Sequence, residues 1–170
     1  MSLVIKKILY ATDLSKNSAF AFQYATDYAE KHGAQIVILH VFEDLRQVDT
    51  TFRHYFTGEQ LTSITKNMDQ TVDKIKSRLS TFCDNVRQDD PACIFRVDQI
   101  DVCGGYPANM ILDKADEYEC DVIFMGTHGK GFVAHAFLGS VAEKVLRRSR
   151  KPVFTIPLPE GDTNFSVNGF

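Results

Sequence analysis

The sequence predicts an α/β fold: a single-domain, doubly wound sheet of five mostly parallel strands with helices on both faces. Three observations lead there. Five short strand-like runs alternate with helical stretches along 170 residues. Two of those runs, QIVILHV at 35–41 and DVIFMG at 121–126, are almost continuously apolar, the pattern of strands covered on both faces in a parallel sheet. Right-handed crossovers then leave few other arrangements.

The first run, VIKKILYAT from Val4 to Thr12, is β-branched and apolar around a Lys pair. It stops at Asp13, with Ser15 placed to cap a following helix. Residues 16–32 carry Ala19, Phe22, Ala25 and Ala29 on one stripe, and Gly33 stands where a left-handed C-terminal residue is wanted. After the 35–41 strand, residues 42–60 have no clear period and form a longer connection than usual, a lid or padding. Helical spacing returns over 60–83 through Leu61, Ile64, Met68, Val72, Ile75 and Leu79, and DNVRQDDP is expected to break that helix before Pro91. A strand near 93–102 follows, then a helix from Pro107 to about Glu119 and the 121–126 strand. Residues 139–150 read as a helix with Val141, Val145 and Leu146 on one side, and PVFTIP at 152–157 as a last short strand. The domain is expected to span 1–157, with 158–170 a loosely held tail.

Composition narrows the function classes. The chain is 44% hydrophobic and 24% charged with net charge −3, the balance of a globular protein without a global basic field for nucleic acid or anionic membrane. The opening MSLVIKKILYATD is interrupted too soon by Lys6, Lys7 and Asp13 for a secretory signal, and no apolar run approaches the ~20 residues of a spanning helix, so the cytoplasm is expected. Cys83, Cys93, Cys103 and Cys120 are too far apart for a Cys-x-x-Cys pair and read as structural thiols.

In doubly wound sheets ligands bind at the carboxyl ends of the strands, where strand order reverses. Ala11-Thr12-Asp13 places a carboxylate off the first strand, in a position equally suited to helix capping. After the fourth strand comes Gly126-Thr127-His128-Gly129-Lys130-Gly131, then Gly139-Ser140 at a helix start. Glycines let backbone N–H groups approach an anion closely, a helix N-terminus adds unsatisfied donors, Lys130 adds a cation and Ser140 a hydroxyl. Taken singly these residues are turn glycines, a cap and a solvated charge; together they describe a phosphate loop. The spacing is not that of a Walker loop, since two residues rather than four separate Gly126 from Gly129-Lys130. Gly129 to Ala134 formally matches the dinucleotide fingerprint, but the following strand ends in Pro157 rather than an acidic residue.

Gly126, two residues, Gly129, nine residues, then Gly139-Ser140 is the spacing of the nucleotide-binding universal stress proteins, and GTHGKGFVAHAFLGSVAEKVLRRSRKPVFTIP resembles their C-terminal signature. The opening KKILYATDLSKNSAFAFQYATDYAEKHGAQIVILHV is also similar to theirs. The resemblance implies strand order 3-2-1-4-5 and an adenine nucleotide, ATP with AMP or ADP as alternatives, at the ends of the first and fourth strands. Position by position, it puts Asp13 on the ribose or adenine side beside Ala11 and Thr12, and Val41 against adenine through its backbone. Gly126 underlies the ribose, Gly129 and Lys130 meet the phosphates, and Gly139, Ser140 and Val141 cradle phosphate oxygens. Thr127 and His128 lie between these glycines and are counted with the site; Mg²⁺ would accompany the phosphates. Family members often carry Arg at the position of His128 and a small polar residue at that of Gly131. The resemblance also implies a homodimer through 152–157, for which Val153, Phe154 and Ile156 are suitable.

His128 and His135 fit no metal-ligand spacing. His40 and Lys7 sit inside strands, where polar tips are expected to reach the surface. Arg147, Arg148, Arg150 and Lys151 suit a helix C-terminus. The expected function is that of an ATP-binding stress sensor or regulator. The alternatives are a slow ATPase or phosphotransferase with Ser140 or Thr127 as acceptor, and a dimeric interaction module without nucleotide. The phosphotransferase needs a positioned base that the sequence does not clearly supply.

Overall fold

β-Branched and aliphatic residues with almost no polar interruption make the centre of a parallel sheet, and the two richest runs occupy it. The computed structural model describes residues 4–42, 57–129 and 138–158. Strand β1 is Lys7–Thr12, β2 Gln35–Phe42, β3 Arg96–Gly104, β4 Val122–Gly126 and β5 Val153–Ile156. Helices α1 (Lys16–His32), α2 (Gly58–Asp89), α3 (Pro107–Glu117) and α4 (Ser140–Arg148) alternate with them. All four strand pairings are parallel and the order is β3-β2-β1-β4-β5, as the resemblance implied.

Side chains alternate across β1 and divide the core in two. Ile8 and Tyr10 face a layer formed with α1 and α2, where Phe22 packs on Tyr10 (ring centroids 4.8 Å), Phe82 and Phe95. Leu9 and Ala11 face the opposite layer, with Val37 and Leu39 of β2, Ile111 of α3 and Val145 of α4.

Local chemistry explains the element boundaries. Ser15 accepts from the Ser18 N–H (3.2 Å) while the Ser18 hydroxyl accepts from the Ser15 N–H (3.1 Å), a reciprocal capping box. Gly33 closes α1 at φ 63°, and Pro107 opens α3 in its first turn, where its missing N–H costs no helical bond.

Three expectations need correction. The helical spacing read over 60–83 understates α2, which runs on through Asp84 to Asp89 and stops, as expected, before Pro91. Arg87 pairs with Asp84 at 2.9 Å and lies over the Phe95 ring at 4.7 Å, and Val86 packs on the core, so these residues repay helix formation. Leu146 does not join Val145 inside but is 41% exposed, the buried α4 stripe being Ala142 and Val145. His40 is not at the surface: it is 8% exposed, with Nδ1 hydrogen-bonded to the Thr12 carbonyl at 2.7 Å. Lys7 does reach solvent and pairs with Asp98 at 3.1 Å, the residue skipped where the β2–β3 register shifts.

Among the described residues no helix is long and apolar enough to cross a membrane. Residues 43–56 of the connection read as a lid or padding, His135, and residues 159–170 of the expected tail lie outside the described residues.

Candidate functional site

β1 and β4 are neighbours, yet the chain winds from β1 outward to β3 on one side and from β4 to β5 on the other. The crossovers therefore leave the sheet in opposite senses at the β1/β4 junction, and a crevice opens at their carboxyl ends. It is a cleft of about 650 Å³ lined by Ala11, Thr12 and Asp13 from β1, Leu39 and Val41 from β2, Met125 to Gly129 from the end of β4, and Leu138 to Glu143 around the start of α4.

The floor is held by hydroxyls. Thr12 Oγ1 accepts from the Leu14 N–H at 3.0 Å and shares a 2.9 Å hydrogen bond with the Ser18 hydroxyl. Leu14 consequently sits at φ 63°, a left-handed conformation that a branched side chain rarely adopts, at the point where β1 turns into α1. Asp13 Oδ1 accepts from the Ser15 N–H at 3.1 Å, a turn bond made with one carboxylate oxygen; the N-cap of α1 is Ser15, not Asp13. The other carboxylate oxygen of Asp13 faces Gly129: a Cβ on Gly129 would stand 2.5 Å from Asp13 Oδ2.

Two further glycines are required by close approach. A Cβ at Gly126 would come within 2.8 Å of Asn17 Nδ2, and one at Gly139 within 3.1 Å of the Thr127 carbonyl. The latter contact accompanies a 2.7 Å hydrogen bond from the Gly139 N–H to that carbonyl, which pins the start of α4 onto the 126–129 turn. Gly139 is the N-cap of α4 and no side chain among the described residues caps the helix; Ser140 is its first residue and exposed, so it is not the N-cap. The opening N–H groups of α4 thus have no helical partner and border the cleft.

The sequence reading located most of this wall. Ala11, Thr12, Asp13, Val41, Gly126, Thr127, His128, Gly129, Gly139, Ser140 and Val141 all line one cavity. Lys130 lies outside the described residues. The reading missed the side that α3 supplies, Pro107 and Ile111, together with Leu39, Met125 and Leu138, which make that wall apolar. It also missed Ser18 and Glu143; Glu143 falls one helical turn after Gly139 and pairs with Arg147 at 3.0 Å. The described lining contains two carboxylates and no Lys or Arg, so anion attraction among these residues falls to backbone N–H groups and the α4 dipole. No group of three His, Cys, Asp or Glu able to hold a metal occurs among the described residues.

Thr127, nearly buried, shares a 2.9 Å hydrogen bond between its hydroxyl and His128 Nδ1. The pairing brings a hydroxyl and an imidazole together on the cleft wall, which the sequence did not reveal because neighbouring residues in a strand point oppositely and only the turn unites them.

A doubly wound parallel sheet with an apolar-walled cleft at its switch point, edged by glycines and an uncapped helix start, defines a class of α/β proteins that receive ligands at their strand ends. The chain belongs to the universal stress protein family, whose model matches residues 5–157. A universal stress protein of Methanocaldococcus jannaschii is 28% identical over 160 residues, covering 92% of this chain and 97% of the relative. The solved structure of that archaeal protein superposes with a TM-score of 0.68 at 25% identity, covering 94% and 100% of the two chains. Two more distant family structures share the fold: one in complex with cAMP (TM-score 0.55, 20% identity, 91% and 98% covered) and one from Archaeoglobus fulgidus in complex with dAMP (0.50, 20%, 91% and 99%).

Proposed function

We propose that this universal stress protein binds an adenine nucleotide, with ATP the expected form, in the β1/β4 cleft and acts in the cytoplasm as a stress-response sensor or regulator. The observation that carries the reading is the conjunction of Gly129 pressed against Asp13 with the uncapped start of α4 on the same cavity. The cAMP and dAMP complexes of the related folds support an adenine nucleotide as the ligand class.

The residues present fit such a group. Leu39, Val41, Pro107, Ile111 and Met125 offer an apolar slot for a base, with backbone polar groups at Val41 to read its edge. Asp13, with Oδ1 bonded to the Ser15 N–H, has Oδ2 on the Gly129 side, where a ribose hydroxyl would meet it. Ala11 and Thr12 adjoin it and Gly126 lets the sugar approach. Gly129, Gly139, Ser140 and Val141 present backbone N–H groups to phosphate oxygens, and Lys130 is assigned there as the cation. With Asp13 and Glu143 on the walls, Mg²⁺ carried by the phosphates would offset the repulsion between carboxylate and nucleotide. The β5 edge is assigned to a homodimer, with Phe154, 39% exposed, as its apolar contact.

The test is to denature freshly purified protein and identify any released nucleotide by chromatography, comparing wild type with Gly129→Glu. Stoichiometric ATP from wild type alone is the expected result, because the added carboxylate stands where phosphate should. No nucleotide from either, and no thermal shift with Mg-ATP, would leave the interaction module as the account. One observation favours a second reading, a slow phosphotransferase. The Thr127 hydroxyl lies on the cleft with His128 Nδ1 at 2.9 Å as a base. Transfer would form a bond from Oγ1 to the γ-phosphorus, break its bond to the bridging oxygen, pass the hydroxyl proton to His128 and release ADP. A predominance of ADP together with phosphothreonine at 127 by mass spectrometry selects that reading.

A further inference from the structure

The 126–129 turn shapes the anion-facing part of the cleft, and three elements attach to it. The Thr127 N–H donates to the Ile156 carbonyl of β5 at 3.0 Å, and the Thr127 carbonyl accepts from the Gly139 N–H of α4 at 2.7 Å. The third attachment is a side chain. Asn17, in the first turn of α1, donates from Nδ2 to the His128 carbonyl at 2.6 Å, across 111 residues of sequence.

Asn17 is 7% exposed, and its Oδ1 is buried without a hydrogen-bond partner among the described residues. An unpaired buried acceptor is destabilising, so burying the Asn17 amide carries a cost that its bond to the His128 carbonyl has to offset. Asn17 does not serve the helix cap, which Ser15 and Ser18 complete between themselves. What its amide does is touch the turn: Nδ2 lies 2.8 Å from the place of a Cβ on Gly126, and its bond fixes the peptide between His128 and Gly129. Gly129 is the residue set against Asp13, and Gly139, held by Thr127, opens α4.

We infer that Asn17 is a positioning residue: its amide ties the 126–129 turn, and through it the start of α4, to the first turn of α1, and so sets the geometry of the phosphate-receiving half of the cleft. Its consequence for binding rests on the nucleotide reading above; its structural part does not. The bond spans the two halves of the chain that meet at the switch point, so its removal loosens the turn without opening β1 and β2.

Two measurements on the full chain test this with Asn17→Ala and Asn17→Asp, the latter keeping the shape but facing an acceptor to the His128 carbonyl. Without ligand, the amides of Thr127 and Gly139 should exchange at least about fivefold faster with solvent hydrogen while those of β1 and β2 keep wild-type rates, as expected for loss of one hydrogen bond in a local opening. Uniform acceleration, or none, overturns the inference, since the first marks a general stability role and the second an idle bond. With ligand, the variants should lose about fivefold or more in ATP affinity yet bind adenosine as wild type does. Equal loss for both ligands overturns the assignment to the phosphate half. If wild type binds neither ligand, the nucleotide reading falls, and the exchange arm still decides whether Asn17 holds the turn.

Discussion

Gly33 ends α1 at φ 63°, and a Cβ added there would meet nothing within 4 Å. Steric crowding is thus absent and the left-handed backbone is the whole constraint. Gly33→Ala is expected to lower stability by about 1 kcal/mol without altering any contact, measurable by urea unfolding with an unchanged m-value. Gly126, Gly129 and Gly139 are different: their φ values ask for nothing unusual, and neighbouring atoms close the space instead. The sequence already distinguishes Gly33, a left-handed helix end, from the three loop glycines, and the structure adds which neighbouring atoms close the space at each.

At the scale of elements, α2 shows how packing overrides a polar pattern. Its buried stripe, Leu79, Phe82 and Cys83, covers the sheet beside Phe22 of α1, and this contact carries the helix beyond Cys83 into the polar segment, as far as Asp89. Burial pushes the Cys83 thiol up to about 12 from its ordinary 9.0, although Arg87 pulls it down. A thiol raised in the folded state contributes stability that is full below pH 9 and is lost as pH climbs towards 12, because the unfolded chain ionises first. Cys103 and Cys120, each pushed by burial to about 11, act in the same direction. Stability should therefore fall by roughly 1 kcal/mol per pH unit above 9 from Cys83 alone. Guanidinium titrations at pH 8 and pH 10 will show a shallower decline in Cys83→Ala if this is right, and parallel declines if it is not. All four cysteines are free, Cys83 and Cys120 buried and Cys93 and Cys103 partly so, and desolvation raises each thiol, which favours the structural reading of them.

For the whole molecule, the sheet's two edges differ. β5 is four residues long, and Phe154 on it stacks on Phe124 (4.6 Å between centroids) and tilts against Tyr28, so its ring belongs partly to the subunit's own aromatic layer. Ile156, expected from the resemblance to serve a dimer contact, is 9% exposed and packs into the core, which leaves Val153 and Phe154 as candidates. If the β5 edge joins two copies, Phe154→Glu should convert a dimer to a monomer in light scattering. A wild type already monomeric at tens of micromolar would remove the dimer from the proposal.

Much of this architecture was legible because it rests on local chemistry. Continuous apolar runs imply strands buried on both faces; a 3.6-residue stripe, a capping serine and a terminal glycine define α1; and alternation with helices fixes a parallel sheet. The glycine spacing after β4 marked the site wall by the same logic, since close backbone approach demands particular residues at particular offsets. What remained hidden depends on residues distant in sequence. His40 is drawn inside by the Thr12 carbonyl of the neighbouring strand, the apolar wall comes from α3, and Asn17 reaches His128 across the switch point. Such contacts leave no period and no spacing in the chain, because only the packing of strands and helices decides which polar atoms will meet.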